Sequence, residues 1–205
     1  MTPSTETIDA FINAIHDNDS TVREAGCEAL CWMREKVAMK KVINSLIKVL
    51  RDDKDAHVRE AACKALGGIG EKAATEEVID GLIHVLRDDE DANVLVAAYE
   101  TLSDFGEKAA TKEVINHLLN VLHNDKHVDV QRDACYVVMR MGVKAAKVEV
   151  INTLINILCD GKYAYVQDAA CEALGALGEN AATEEVINHL LNVLHNNGDA
   201  KAQRA

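Results

Sequence analysis

The cysteines, the histidines and one tyrosine–arginine grouping are the parts of this 205-residue sequence with chemistry to offer. Six cysteines and eight histidines would suit a metal centre if they came at ligand spacing. Cys27, Cys63, Cys135 and Cys171 instead hold one position of a repeat, filled by Tyr99 in the third copy. That puts one thiol on each helix about a layer apart, too far for a disulfide between successive copies. Cys27 and Cys31 share a helix face, yet no Cys-x-x-Cys pair or nearby histidine completes a zinc set. Small side chains packed where helices approach account for these cysteines, and reduced thiols fit a cytoplasmic setting. His117, His123, His189 and His195 come from a repeated Asn-His-Leu-Leu-Asn-Val-Leu-His string. Its two histidines stand six residues apart and point to different faces of one helix. Ser4, Ser20, Ser45 and Ser103 lie in no Gly-x-Ser-x-Gly context, and no glycine-rich phosphate loop is present. The expectation is a chain without catalytic residues, metal or cofactor.

Residues that break the repeat on the second helix of each copy are more informative. One column reads Glu24, Glu60, Val96, Arg132, Asp168, and the next reads Glu28, Lys64, Glu100, Tyr136, Glu172. A third holds Cys31-Trp32, Gly67-Gly68, Ser103-Asp104, Met139-Arg140 and Gly175-Ala176, and is taken as exposed with the others. The fourth copy thus gathers Arg132, Tyr136, Met139 and Arg140 along one side of a helix, and Tyr163 and Tyr165 begin its successor. Tyrosine and arginine dominate interface hot spots because they bury large area and still make polar contacts. The partner-binding expectation is therefore Arg132, Tyr136, Met139, Arg140 and Tyr165, against a partner with acidic or apolar elements. Drift at unconstrained surface positions would give the same pattern. Trp32 is a second anchor, or else a cover for an open core edge.

The elements that position these residues follow from a return every 36 residues. Glu71-Lys72-Ala73-Ala74-Thr75-Glu76-Glu77-Val78-Ile79 recurs from Glu107 and again from Glu179, with looser copies from Glu35 and Val143. A fixed period of this size marks a solenoid whose units bury apolar faces against their neighbours. In the third copy Val78, Ile79, Leu82, Ile83, Val85 and Leu86 fall at helical spacing behind a Thr75 cap. Asp91 caps a second helix carrying Val94, Ala97, Ala98, Thr101, Leu102 and Phe105, which Gly106 ends. Transferred along the chain, this template predicts first (A) helices near 6–16, 40–51, 75–87, 111–123, 147–159 and 183–195. Second (B) helices fall near 20–34, 55–69, 91–105, 127–141 and 163–177. The predicted fold is all-α, a right-handed α–α superhelix of helical hairpins. It forms one array over 1–205, with units about 1–34, 35–70, 71–106, 107–142, 143–178 and a partial 179–205. Arg34 stands where the other copies have glycine.

Bulk composition narrows the partners. Hydrophobic residues make up 48% and aromatics only 3%, so the core is aliphatic and suits closely packed helices. The formal net charge of −12 repels phosphate backbones and argues against nucleic acid. No basic cluster suits anionic lipid, and no apolar run is long enough to span a bilayer. A soluble, cytoplasmic protein with a protein or peptide partner is expected. The last A helix shows Val186, Ile187, Leu190, Leu191, Val193 and Leu194, all of internal type. This suggests a segment of a longer array in a larger multidomain protein, or self-association through the C-terminal unit.

The string from Asp55 to Gly70 (Asp-Ala-His-Val-Arg-Glu-Ala-Ala-Cys-Lys-Ala-Leu-Gly-Gly-Ile-Gly) resembles the second helix of HEAT-like repeats, especially the phycobilisome-lyase-type subgroup. Val166 to Gly175 matches nearly as well, and the resemblance covers essentially the whole chain. The Glu-Lys-Ala-Ala-Thr-x-Glu-Val-Ile linker is also similar to long HEAT-like arrays attached to signalling NTPase modules. The family implies a non-catalytic scaffold binding a partner along a concave face lined by B helices. The subgroup implies the alternative, a bilin lyase-type enzyme or its subunit. Among HEAT-like enzymes, deoxyhypusine hydroxylase takes its iron ligands from His-Glu dipeptides, and no histidine here precedes glutamate. HEAT-like DNA glycosylases use a basic groove, which this acidic chain opposes.

Overall fold

Helices form where the apolar spacing and caps place them. The computed structural model describes residues 4–124, 127–160, 163–182, 184, 186–188 and 191. The A helices are α1 (Thr5–Ala14), α3 (Lys40–Asp52), α5 (Glu76–Asp88), α7 (Lys112–Asn124) and α9 (Val148–Asp160). The B helices are α2 (Ser20–Met33), α4 (Ala56–Ile69), α6 (Ala92–Phe105), α8 (Val128–Met141) and α10 (Ala164–Ala176). The A helix expected over 183–195 lies mostly outside the described residues. No strand occurs among the described residues, and the fold is an α-solenoid of helical hairpins. The chain divides into two compact units, Met1–Ala109 with α1 to α6 and Ala110–Ala205 with α7 to α10.

In the first unit α2 packs on α4 and α4 on α6, while α3 lies against α5. Ile8, Ile15, Leu30, Leu46, Leu50, Leu66, Ile69, Leu82, Leu102 and Phe105 are fully buried there. In the second, α8 packs on α10 and α7 on α9, burying Leu118, Val137, Met141, Leu154 and Leu174. Each such aliphatic side chain contributes about 1.5–3 kcal/mol, so the fold rests on many similar terms and no single centre. Cys27, Cys63 and Cys135 are buried in these B-helix contacts, with Tyr99 buried at the equivalent place. Burial pushes the Cys27 and Cys135 thiols up to about 12, so neither is a nucleophile at neutral pH.

Every B helix runs into a short 3-10 turn, a feature absent from the sequence template. These turns cover Arg34–Val37, Gly70–Ala73, Gly106–Ala109, Gly142–Ala145 and Gly178–Ala181. Each opens on a residue with positive φ: 74° at Gly70, 53° at Gly106 and Gly142, 66° at Gly178, and 54° at Arg34. Glycine tolerates this region freely, whereas Arg34 carries a Cβ into backbone space (φ 54°, ψ −141°) that L-residues avoid.

The turns joining A to B helices differ between the two units. In the first, Asp19, Asp55 and Asp91 cap α2, α4 and α6, Asp91 accepting from the amides of Asn93 (2.9 Å) and Val94 (3.2 Å). Arg23 holds Asp53 of the next copy through Nε (2.6 Å) and Nη2 (2.8 Å), and Arg59 holds Asp89 through the same atoms (2.7 and 2.9 Å). Both carboxylates are nearly buried, at 7% and 8% side-chain exposure, so each depends on its arginine. Each also accepts from the amide two residues on, Asp55 and Asp91 respectively. In the second unit His127 and Tyr163 stand at the cap positions without a side-chain cap. Gln131 and Gln167 there donate to the Leu122 carbonyl (3.4 Å) and the Leu158 carbonyl (2.8 Å).

Candidate protein-interaction surface

Helical spacing alone sets Arg132, Tyr136 and Arg140 along one side of α8, because residues four apart share a face. Tyr136 and Arg140 are exposed, Arg132 and Met139 half-buried. Tyr165, exposed, opens α10, which packs directly on α8. The rings of Tyr163 and Tyr165 lie 6.3 Å apart at 49°, a tilted arrangement typical of favourable aromatic pairs. Partial burial raises the Tyr165 phenol, and the Asp129 carboxylate adds to this, while Arg132 opposes it. Those influences bring Arg132 and Asp129 into the surroundings of Tyr165. Tyr136 in turn acts electrostatically on Arg132. Arg132 is already engaged, through Nε (3.1 Å) and Nη2 (3.0 Å) with Asp133 and through Nη1 (3.3 Å) with Asp129. Its charge is therefore largely offset within the protein, and the aromatic surface is what the patch presents.

Trp32 sits in the first unit, on α2. At 86% exposure it covers no core edge, which removes one of the two roles open to it in the sequence. It lines a cleft of about 350 Å³ with Glu24, Glu28 and Cys31 of α2 and His57, Glu60, Ala61 and Lys64 of α4. This setting was not legible in advance, although Glu24, Glu28 and Glu60 were visible as repeat-breaking residues. One expectation is corrected. Gly67, grouped with the exposed positions, is buried: a Cβ there would lie 2.8 Å from Asp104 Oδ2 and 3.4 Å from the Thr101 Cα. Gly67 is the space that lets α6 approach α4, a packing role.

Among the described residues no group of three His, Cys, Asp or Glu side chains is placed to hold a metal ion. His117 is buried, whereas His123 is exposed and bonds through Nδ1 to the Leu119 carbonyl (2.7 Å). His189 and His195 lie outside the described residues. None of the described helices is long and apolar enough to cross a membrane.

Hairpins repeated every 36 residues, with core and turn in the same register, define a helical-repeat protein of the ARM/HEAT type. The family described as adaptin N terminal region matches residues 3–205, and the chain belongs to that family. Repeats of this family generally mediate protein interactions. No curated protein matches the chain.

Proposed function

We propose that the chain is a non-catalytic interaction scaffold, a segment of a larger multidomain protein working in the cytoplasm. A protein or peptide partner lies along the B-helix face, contacting Arg132, Tyr136, Met139, Arg140 and Tyr165, with Trp32 as a second anchor. The observation that carries this reading is the exposure of three tyrosines on neighbouring B helices, Tyr136 on α8 and the ring pair Tyr163–Tyr165 at the start of α10, in a chain with so few aromatic residues. Because Asp129 and Asp133 already hold Arg132, apolar elements of the partner contribute most. Self-association through the C-terminal unit is a further element of the reading. It is supported by an apolar cleft of about 240 Å³ near Leu174, Val186 and Ile187.

The test is affinity capture from a native lysate with the chain and with an Arg132→Ala, Tyr136→Ala, Arg140→Ala variant of equal helicity. A protein held by the first and lost by the second supports the patch; equal capture removes it. The likeness of α4 and α10 to phycobilisome-lyase-type repeats favours a competing reading, a bilin lyase-type enzyme or subunit. Transfer of a tetrapyrrole to an acceptor protein by the purified chain would establish that reading instead.

A further inference from the structure

Glu24, Glu28 and Trp32 follow one another at intervals of four on α2, so two carboxylates and an indole line up along a single helix face. The facing stretch of α4 supplies Glu60 and Lys64, whose Nζ and Oε1 are 2.5 Å apart and cancel each other's charge. Neither Glu24 nor Glu28 is in an ion pair among the described residues. The cleft between them therefore holds two uncompensated carboxylates beside an aromatic face that is almost wholly in water. A tryptophan so exposed contributes little to folding, since its apolar area remains hydrated.

We infer that this cleft is a docking site for an arginine side chain presented by a basic, extended segment of a partner protein. A guanidinium is the group that meets both features at once. Its flat face stacks on indole, and its N–H edge bonds carboxylates in a fixed fork. Charge complementarity selects the same occupant, because the chain as a whole carries −12 and the cleft adds a local excess of the same sign. The inference deepens the interaction-module reading at its second anchor and does not depend on the tyrosine cluster of α8 and α10. The two surfaces then differ in taste: one accepts cations, the other aromatic and apolar groups.

Trp32 is the one tryptophan of the chain, so its fluorescence reports this cleft alone. A capped peptide of three arginines spaced by glycines is titrated into the full chain, alongside a twin with citrulline in place of arginine. The expected result is saturable quenching by the arginine peptide and none by its neutral twin. A Glu24→Gln, Glu28→Gln variant weakens binding about ten-fold, and calorimetry shows a comparable loss for Trp32→Ala. A Tyr136→Ala, Tyr165→Ala variant binds the peptide unchanged, which separates this site from the other patch. Three outcomes overturn the proposal: equal binding of the citrulline peptide, an unquenched indole, or an equal loss in a Glu76→Gln, Glu77→Gln variant. The last would mean diffuse attraction to an acidic surface, because Glu76 and Glu77 are exposed carboxylates on α5, away from the cleft.

Discussion

In the N-terminal unit Arg23 and Arg59 reach from one repeat to Asp53 and Asp89 of the next, while at the same repeat position Gln131 and Gln167 bond main-chain carbonyls. The cap position changes in step, from Asp19, Asp55 and Asp91 to His127 and Tyr163. Leu95 of the third repeat marks the changeover in the sequence, since it can make neither bond. A shared backbone plan thus tolerates two chemistries at one turn. Charged locks give direction and depend on pH; amide bonds are weaker but insensitive to it. The tyrosine cluster belongs to the second unit, where the B helices begin on His127 and Tyr163. Releasing the cap position from Asp is what places Tyr163 beside Tyr165.

The sharpest way to break the contrast is Arg59→Ala. It leaves the Asp89 carboxylate nearly buried without its partner, and a loss of about 2–4 kcal/mol is expected. Gln167→Ala should cost about 1 kcal/mol or less, because only a neutral side-chain bond is removed and no buried charge is left behind. Urea unfolding of both variants measures the difference, and equal losses would erase the distinction. Acid should separate the units next. Partial burial pushes Asp53 and Asp89 up, but the arginine bonds and backbone amides outweigh it and hold both carboxyls below the usual aspartate value. Groups with lowered folded values bind protons more readily unfolded. Their contribution is complete above about pH 4 and drains away as pH falls through the folded values. Hydrogen exchange, corrected for intrinsic rates, should show α3 to α6 losing protection below that pH before α8 to α10.

Smaller effects sharpen the comparison further. Asp91→Ala should cost about 1 kcal/mol, and His127→Asp should add about 0.5–1 kcal/mol by building a cap where none exists. Thermal melts of the pair test whether the two turns are interchangeable. Arg34→Gly should stabilise by about 1 kcal/mol, since the four equivalent turns use glycine at this backbone angle. A melt with no gain would show that Arg34 carries a compensating contact.

Periodicity made the helices legible: α5 and α6 fall within a residue of the expected limits, and their Thr75 and Asp91 caps are those read from the sequence. Side-chain pairing was not legible. Arg59 and Asp89 are separated by thirty residues, and only the stacking of successive hairpins brings them together. Gly67 misled for the same reason. A small residue on a helix surface reads as exposed until a neighbouring helix is seen to use the space. At the candidate surface the exposure of Tyr136 and Tyr165 followed from helix phase. The neutralisation of Arg132 by Asp129 and Asp133 depends on rotamers that spacing does not specify.

The Gly-Glu-Lys-Ala turn that follows α4 is repeated letter for letter after α6. Excising residues 71–106 would join Gly70 to Glu107 and regenerate the same turn, with Thr111 standing in for Thr75 at the next cap. Duplication of that stretch would be equally seamless. Identical splice points at the ends of one hairpin make length itself a heritable variable. Such a protein can gain or lose contact surface in whole 36-residue steps, with no junction to repair afterwards.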